Sequence, residues 1–250
     1  MNASFRQRLL AREVMFGTIV TLDAPEVVEA LCHIGYDWLF IETEHAPLAP
    51  PAVQHIVRTA GDTPCVVRLS RGDEISIKRA LDAGAAGIIV PQVNSAAHVR
   101  LIVSYAKFAP MGSRGFGLSR ASMYGMNAAD YVARANDATA VMVLAEHIDA
   151  VEQIEDICAV EGLDAVCIGP YDLSSSMHRF GQIDHPDVIA AMNRVRDVCL
   201  ARGMPVGIHG ATPAFCAARV AEGYSLLTCG SDLGLFAGAA RNLLSTLHGA

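Results

Sequence analysis

Several polar residues stand directly behind apolar runs, where a charge needs a partner or a task. Along the chain they are Glu42-Thr43-Glu44-His45, Arg68, Gln92 after Pro91, Glu146-His147, Gly169-Pro170-Tyr171-Asp172 and His209. Glu146 follows Val141-Met142-Val143-Leu144-Ala145, and Arg68 follows Cys65-Val66-Val67. Glu146 and Asp172 together could ligate a hard divalent cation, Mg2+, Mn2+ or Co2+, with several coordination positions left for water and substrate. The turn at Gly169-Pro170 would bring the backbone N–H groups of the next residues to an anion, and Arg68 would clamp the same anion. A cation, a guanidinium and N–H groups around one ligand suit a 2-oxo acid held by its carboxylate and keto oxygen. Such chelation acidifies C3 and stabilises the enolate that forms.

Each residue taken alone has a plainer reading. Glu146 could mark the place where a buried strand meets water. Asp172 could be the N-cap of a helix over Leu173–Met177. His45 could be an ordinary loop histidine, and Arg68 one half of a structural ion pair. Their common placement at strand ends gives the chemical reading its weight.

The elements that must position them are short and regularly spaced. Strands are expected over Gly17–Leu22, Trp38–Glu42, Cys65–Leu69, Gly87–Pro91, Ala140–Ala145, Ala165–Gly169, Pro205–His209 and Tyr224–Cys229. Most are continuous apolar runs, the pattern of strands covered on both faces. Helical segments are expected over Pro25–His33, Glu74–Asp82, Ala96–Ala106, Asp149–Cys158, Pro186–Arg202 and Thr212–Glu222. Pro25 and Pro186 suit first-turn positions, with Asp23 and Asp184 as candidate caps. Eight strand-then-helix units in 250 residues fit a (β/α)8 barrel as one domain over residues 1–250. A doubly wound open sheet fits less well, because no GxGxxG follows the first strand. In such a barrel, chemistry belongs at the C-terminal ends of the strands. The stretch Pro110–Asn127, rich in Gly, Ser and Arg, reads as a long functional loop after the fourth unit.

Composition narrows the partners. The net charge is −7 and no basic block stands out, so no nucleic-acid partner is expected. No apolar run is long enough for a membrane span. The N-terminal segment is charged and lacks an apolar signal region. The seven cysteines form no CxxC pair and read as reduced, mainly core residues of a cytoplasmic protein.

At these same residues the chain resembles the HpcH/HpaI aldolase family, the metal-dependent pyruvate aldolases. The matching pieces are Tyr36-Asp37-Trp38, Glu42-Thr43-Glu44-His45-Ala46-Pro47, Val66-Val67-Arg68, Arg114-Gly115 and Gly169-Pro170-Tyr171-Asp172-Leu173-Ser174. The resemblance runs from about Phe16 to Leu244. It implies a (β/α)8 barrel that reversibly joins the enolate of pyruvate, or of a close 2-oxo acid such as hydroxypyruvate, to an aldehyde. It implies Glu146 and Asp172 as metal ligands, His45 in proton transfer with Glu42 orienting it, and Arg68 on the oxo acid. Backbone groups of Gly169, Tyr171 and Asp172 would hold the carboxylate, and Leu144 and His209 would line the substrate site. It further implies a homo-oligomer, a hexamer, with the C-terminal helix Asp232–Leu247 exchanged between subunits. An apolar stripe of Leu233, Phe236, Ala237, Ala240 and Leu244 fits that helix. Two residues depart from the pattern: Glu42 stands where Asp is common, and Leu144 where many relatives carry Gln. The loop Arg114–Met126 also looks shorter than in some relatives. Two other functions are compatible with the residues, a carbon–carbon lyase acting on a coenzyme A thioester and a non-catalytic metabolite-binding barrel.

Overall fold

The apolar runs pair in parallel, each with the next, and the last returns to the first, so the sheet closes into a barrel. The computed structural model describes residues 3–249. The strands are β1 (Met15–Val20), β2 (Trp38–Glu42), β3 (Cys65–Arg68), β4 (Gly87–Val90), β5 (Ala140–Ala145), β6 (Ala165–Ile168), β7 (Val206–Gly210) and β8 (Leu226–Ser231). The helices are α1 (Phe5–Leu10), α2 (Pro25–Ile34), α3 (Pro50–Thr59), α4 (Glu74–Asp82), α5 (Ala96–Ala106) and α6 (Ala128–Ala138). They continue with α7 (Ile148–Glu152), α8 (Ile154–Cys158), α9 (Pro170–Ser176), α10 (Pro186–Ala201), α11 (Pro213–Ala221) and α12 (Asp232–His248). This is the expected (β/α)8 barrel.

The two-residue period of a strand divides the apolar residues between two cores. Leu39, Ile41, Val67, Ile88, Val143 and Val166 face outward into the layer between sheet and helices. Trp38, Phe40, Val66, Ile89, Met142, Leu144 and Cys167 face the barrel axis. Full burial of such side chains contributes roughly 1.5–3 kcal/mol each, which is why these strands need no polar alternation. Helix α1 plugs the lower end of the barrel: Phe5 and Leu9 join the interior cluster, and the Phe5 and Trp38 rings lie 5.8 Å apart.

Helix starts follow the capping rules with some differences from expectation. Asp73, Ser95, Thr212 and Ser231 accept N–H bonds at the starts of α4, α5, α11 and α12. Pro25 and Pro186 do open their helices. Asp23 and Asp184 are not the caps, however. Ala24 precedes α2 without a side-chain bond, and the His185 ring accepts from the Asp187 N–H at α10. The expected single helix over 149–158 is two, α7 and α8, broken at Gln153.

The Gly- and Arg-rich stretch lies at the opposite end of the barrel from the strand C-termini. It follows a helix, and α5 runs back down the barrel before releasing it. The guanidinium of Arg114, buried, donates to Asp82 Oδ1 and Tyr131 Oη at 2.8 Å each. It also stacks over Phe108 at 4.7 Å. Arg120 donates to the Ala83 carbonyl. These bonds fasten the loop to the lower ends of α4 and α6, and residues 120–125 within it form a 3-10 turn. In this chain the loop takes no part in the site at the upper rim.

Candidate active site

Strand β5 delivers Glu146 just past its last residue, and the side chain is 2% exposed. Its Oε1 accepts the Gln92 N–H at 2.7 Å. Gln92 can reach across because it turns at the end of β4 with a φ of 54°, a left-handed conformation uncommon for a residue with a side chain. Beyond β6, Gly169 leaves room for the carboxylate: a Cβ there would lie 3.0 Å from Glu146 Oε2 and 2.9 Å from its Cβ. Gly169 has a spatial role, since its own N–H is directed to the Ala145 carbonyl. That bond removes Gly169 from the expected set of carboxylate-holding N–H groups. Tyr171 and Asp172 retain first-turn N–H groups, which have no intrahelical acceptor at any helix start. Asp172 is therefore inside the first turn of α9, not its cap.

On the facing strands, Glu42 and Arg68 are paired in register. Arg68 Nη2 lies 2.5 Å from Glu42 Oε2, and Nη1 lies 3.4 Å from Glu44 Oε2. Glu42 Oε1 accepts the N–H groups of Glu44 and His45 at 2.6 and 3.0 Å. Glu42 thus holds the backbone of the turn and does not orient the His45 ring. The acid beside that ring is Glu44, at 3.8 Å, and the ring is 67% exposed at the rim. Arg68 Nε is buried with no partner, and the five N–H groups of the guanidinium exceed its two carboxylate contacts, so donors remain for a ligand.

These groups border a cavity of about 180 Å³ that descends into the barrel. Its upper wall holds Glu42, Arg68, Glu146, Tyr171, Asp172, His209 and Thr228, and its floor is Trp38, Phe40, Ile89, Leu144, Cys167 and Leu226. Leu144 points inward beneath Glu146, as the strand period requires. The cavity brings together the expected residues except His45, which stands outside its lining. Gln92, Glu44 and Thr228 are site residues whose roles the sequence did not announce, because each acts through a contact across strands or within a turn.

The electrostatics call for a cation. Four carboxylates, Glu42, Glu44, Glu146 and Asp172, surround one guanidinium that is already matched by Glu42 and Glu44. Burial pushes the Glu146 carboxyl up to about 7; the Gln92 N–H opposes this, the charges of Asp172 and Glu44 add to it, and Arg68 opposes it. Burial also raises Glu44, with Arg68 and His45 acting the other way. Among the described residues, Glu146 and Asp172 have no cationic partner within ion-pair distance. No cluster of three His, Cys, Asp or Glu ligands occurs among them either. A divalent ion between two carboxylates would relieve the excess charge and keep positions open for substrate oxygens. The donor set fits such an ion.

Acid residues, a guanidinium and turn N–H groups thus share the upper rim of one cavity in the barrel. Residues 14–239 match the family model of the HpcH/HpaI aldolase/citrate lyase family, and the chain belongs to that family. It is 37% identical to a 2-dehydro-3,6-dideoxy-6-sulfogluconate aldolase of Pseudomonas putida, over 93% of this chain and 92% of the relative. It is 34% identical to a hydroxypyruvate/pyruvate aldolase of Cupriavidus necator, over 99% and 93%. A crystal structure of a family member from Burkholderia cenocepacia superposes with a TM-score of 0.94 at 34% identity, covering 97% of this chain and 98% of that one. The chain is an aldolase, a carbon–carbon lyase of the pyruvate-aldolase class.

Proposed function

We propose that this chain reversibly cleaves 4-hydroxy-2-oxo acids to pyruvate, or a close 2-oxo acid such as hydroxypyruvate, and an aldehyde. The observation that carries this reading is the pair Glu146 and Asp172, which among the described residues lack a cationic partner and line one cavity with Arg68, whose Nε has no hydrogen-bond partner. Glu146 and Asp172 would hold a divalent cation, Mg2+, Mn2+ or Co2+. When bound, the cation polarises the keto group and offsets charge developing on the oxo acid. Arg68 and the N–H groups of Tyr171 and Asp172 bind the acid's oxygens and set its orientation. Glu42 keeps Arg68 in place and fixes the turn that carries His45.

In cleavage, the C4 hydroxyl loses its proton, the C3–C4 bond breaks, and its electron pair passes to the oxo acid as an enolate. The aldehyde leaves, and protonation at C3 yields pyruvate. His45 serves these proton transfers from the rim, beside the Glu44 carboxylate. The apolar walls below exclude water from the reacting carbons.

The partners are small molecules, with no nucleic acid or membrane among them. A homo-oligomer, a hexamer with α12 exchanged between subunits, is supported by the exposed apolar residues of that helix. Phe236, Leu243 and Leu247 are 71%, 65% and 73% exposed, and a second copy would cover them. The free cysteines suit a cytoplasmic enzyme. The test is product formation from pyruvate or hydroxypyruvate with a panel of aldehydes, with and without added Mg2+, Mn2+ or Co2+. New carbon–carbon bonds that require the cation support the reading. Turnover of a coenzyme A thioester with no aldol product overturns it.

A further inference from the structure

The oxo acid, on the reading above, is bound from β3, β5 and β6. The wall formed by β7 and β8 carries a polar pair, of which His209 has so far been placed only in the lining of the substrate site. His209 Nδ1 lies 3.0 Å from Thr228 Oγ1, and both residues line the cavity. Thr228 is 3% exposed. The pair fixes one edge of the imidazole and leaves Nε2 as its second polar atom. Burial lowers the His209 pKa, and the charge of Arg68 acts in the same direction while the Thr228 bond opposes them. Burial and Arg68 both disfavour the charged ring. A hydroxyl can donate to Nδ1 or accept from it, so Nε2 can carry a proton or a lone pair as the ligand demands. The neighbouring lining, Ile19, Ile208 and Leu226, offers no hydrogen bond. Of the other polar side chains in the lining outside the oxo-acid machinery, Tyr171 is 57% exposed, at the mouth, and Trp38, whose Nε1 is buried with no partner, belongs to the floor.

We propose that His209, oriented by Thr228, binds the aldehyde half of the substrate and selects aldehydes that carry an uncharged hydroxyl beside the carbonyl. The assignment rests on the aldolase reading and adds the acceptor class to it. A hydroxyl meeting Nε2 replaces a bond otherwise made to water. An alkyl group of equal size leaves that atom without a partner, and a site built to pair with a hydroxyl discriminates against its absence.

The test compares glycolaldehyde with propionaldehyde, which differ by a hydroxyl in place of a methyl group, in the pyruvate aldol reaction of the cation-loaded enzyme. The readout is the ratio of their kcat/KM values. The wild type should favour glycolaldehyde. His209→Leu should lower the ratio about tenfold, the scale of one hydrogen bond. His209→Gln, which still offers a donor and an acceptor, should restore it to within about threefold of wild type. Thr228→Val, which frees the ring and keeps it, should lower the ratio by a smaller factor and decides the matter if His209→Leu does not fold. A merely structural histidine would depress both aldehydes alike. An unchanged ratio in the His209 and Thr228 variants therefore overturns the assignment and leaves the aldolase reading intact. A wild type that neither condenses any aldehyde nor exchanges the C3 protons of pyruvate overturns both.

Discussion

Replacing Glu146 by Gln should stabilise the cation-free protein at alkaline pH while removing its turnover. The carboxyl is raised from 4.5 to about 7, chiefly by burial. Between those values the folded chain binds a proton that the unfolded chain has released, so this group's contribution to stability is fullest below pH 4.5 and is lost as pH rises through 7. At about 1.36 kcal/mol per unit, the ionised group costs the fold about 3 kcal/mol above pH 7. Gln has the same shape, bears no charge, and keeps an oxygen for the Gln92 N–H. Urea unfolding of chelator-treated protein should therefore show the two chains equal near pH 4.5 and the variant about 3 kcal/mol more stable at pH 8. Added cation should act in the opposite sense. It should stabilise the wild type by about 2.7 kcal/mol at a hundredfold excess over Kd and leave the variant unmoved. Equal stabilities at both pH values would refute the placement of an uncompensated carboxylate at the barrel rim.

Three further outcomes follow from the same geometry. Arg68→Lys should lower kcat/KM for the oxo acid by roughly a hundredfold, because a point charge cannot satisfy Glu42, Glu44 and a ligand together; steady-state kinetics reads this directly. Gly169→Ala places a methyl group 3.0 Å from Glu146 Oε2, so calorimetric titration should show cation affinity reduced at least tenfold, on the scale of about 1.4 kcal/mol, in a protein that still folds. Leu144→Gln puts an amide among Phe40, Ile89, Met142 and Cys167, and thermal unfolding should show a loss of about 1–3 kcal/mol. The pH dependence of turnover should stay unchanged, and a shifted profile would mean that residue 144 acts on the reacting groups.

The barrel was legible because strands covered on both faces read as uninterrupted apolar runs, and those of β2 and β5 coincide with their expected limits. The placement of Glu146 and Arg68 at the upper rim was legible for a related reason: each charge ends such a run, and both line the cavity with Asp172. Errors arose where position depends on chain direction or on a turn. The stretch 110–127 drew attention by composition, yet its place after α5 puts it at the lower end of the barrel. The family resemblance implied that Glu42 orients the His45 ring. The tight turn instead brings Glu42 under the backbone N–H groups and leaves Glu44 beside the imidazole. Gln92 stood among the strand-end polar residues without a role, and Thr228 was silent, because their bonds, to Glu146 and His209, cross between strands.

The central claim is that Glu146 and Asp172 hold a cation that activates a 2-oxo acid at C3. Nuclear magnetic resonance of pyruvate in D2O tests it without an aldehyde. The wild type with Mg2+, Mn2+ or Co2+ should exchange the C3 protons, exchange should stop on full chelation and return with the ion, and Glu146→Gln should show none with the ion present. Exchange that continues undiminished in fully chelated protein, or in Glu146→Gln, would contradict the account.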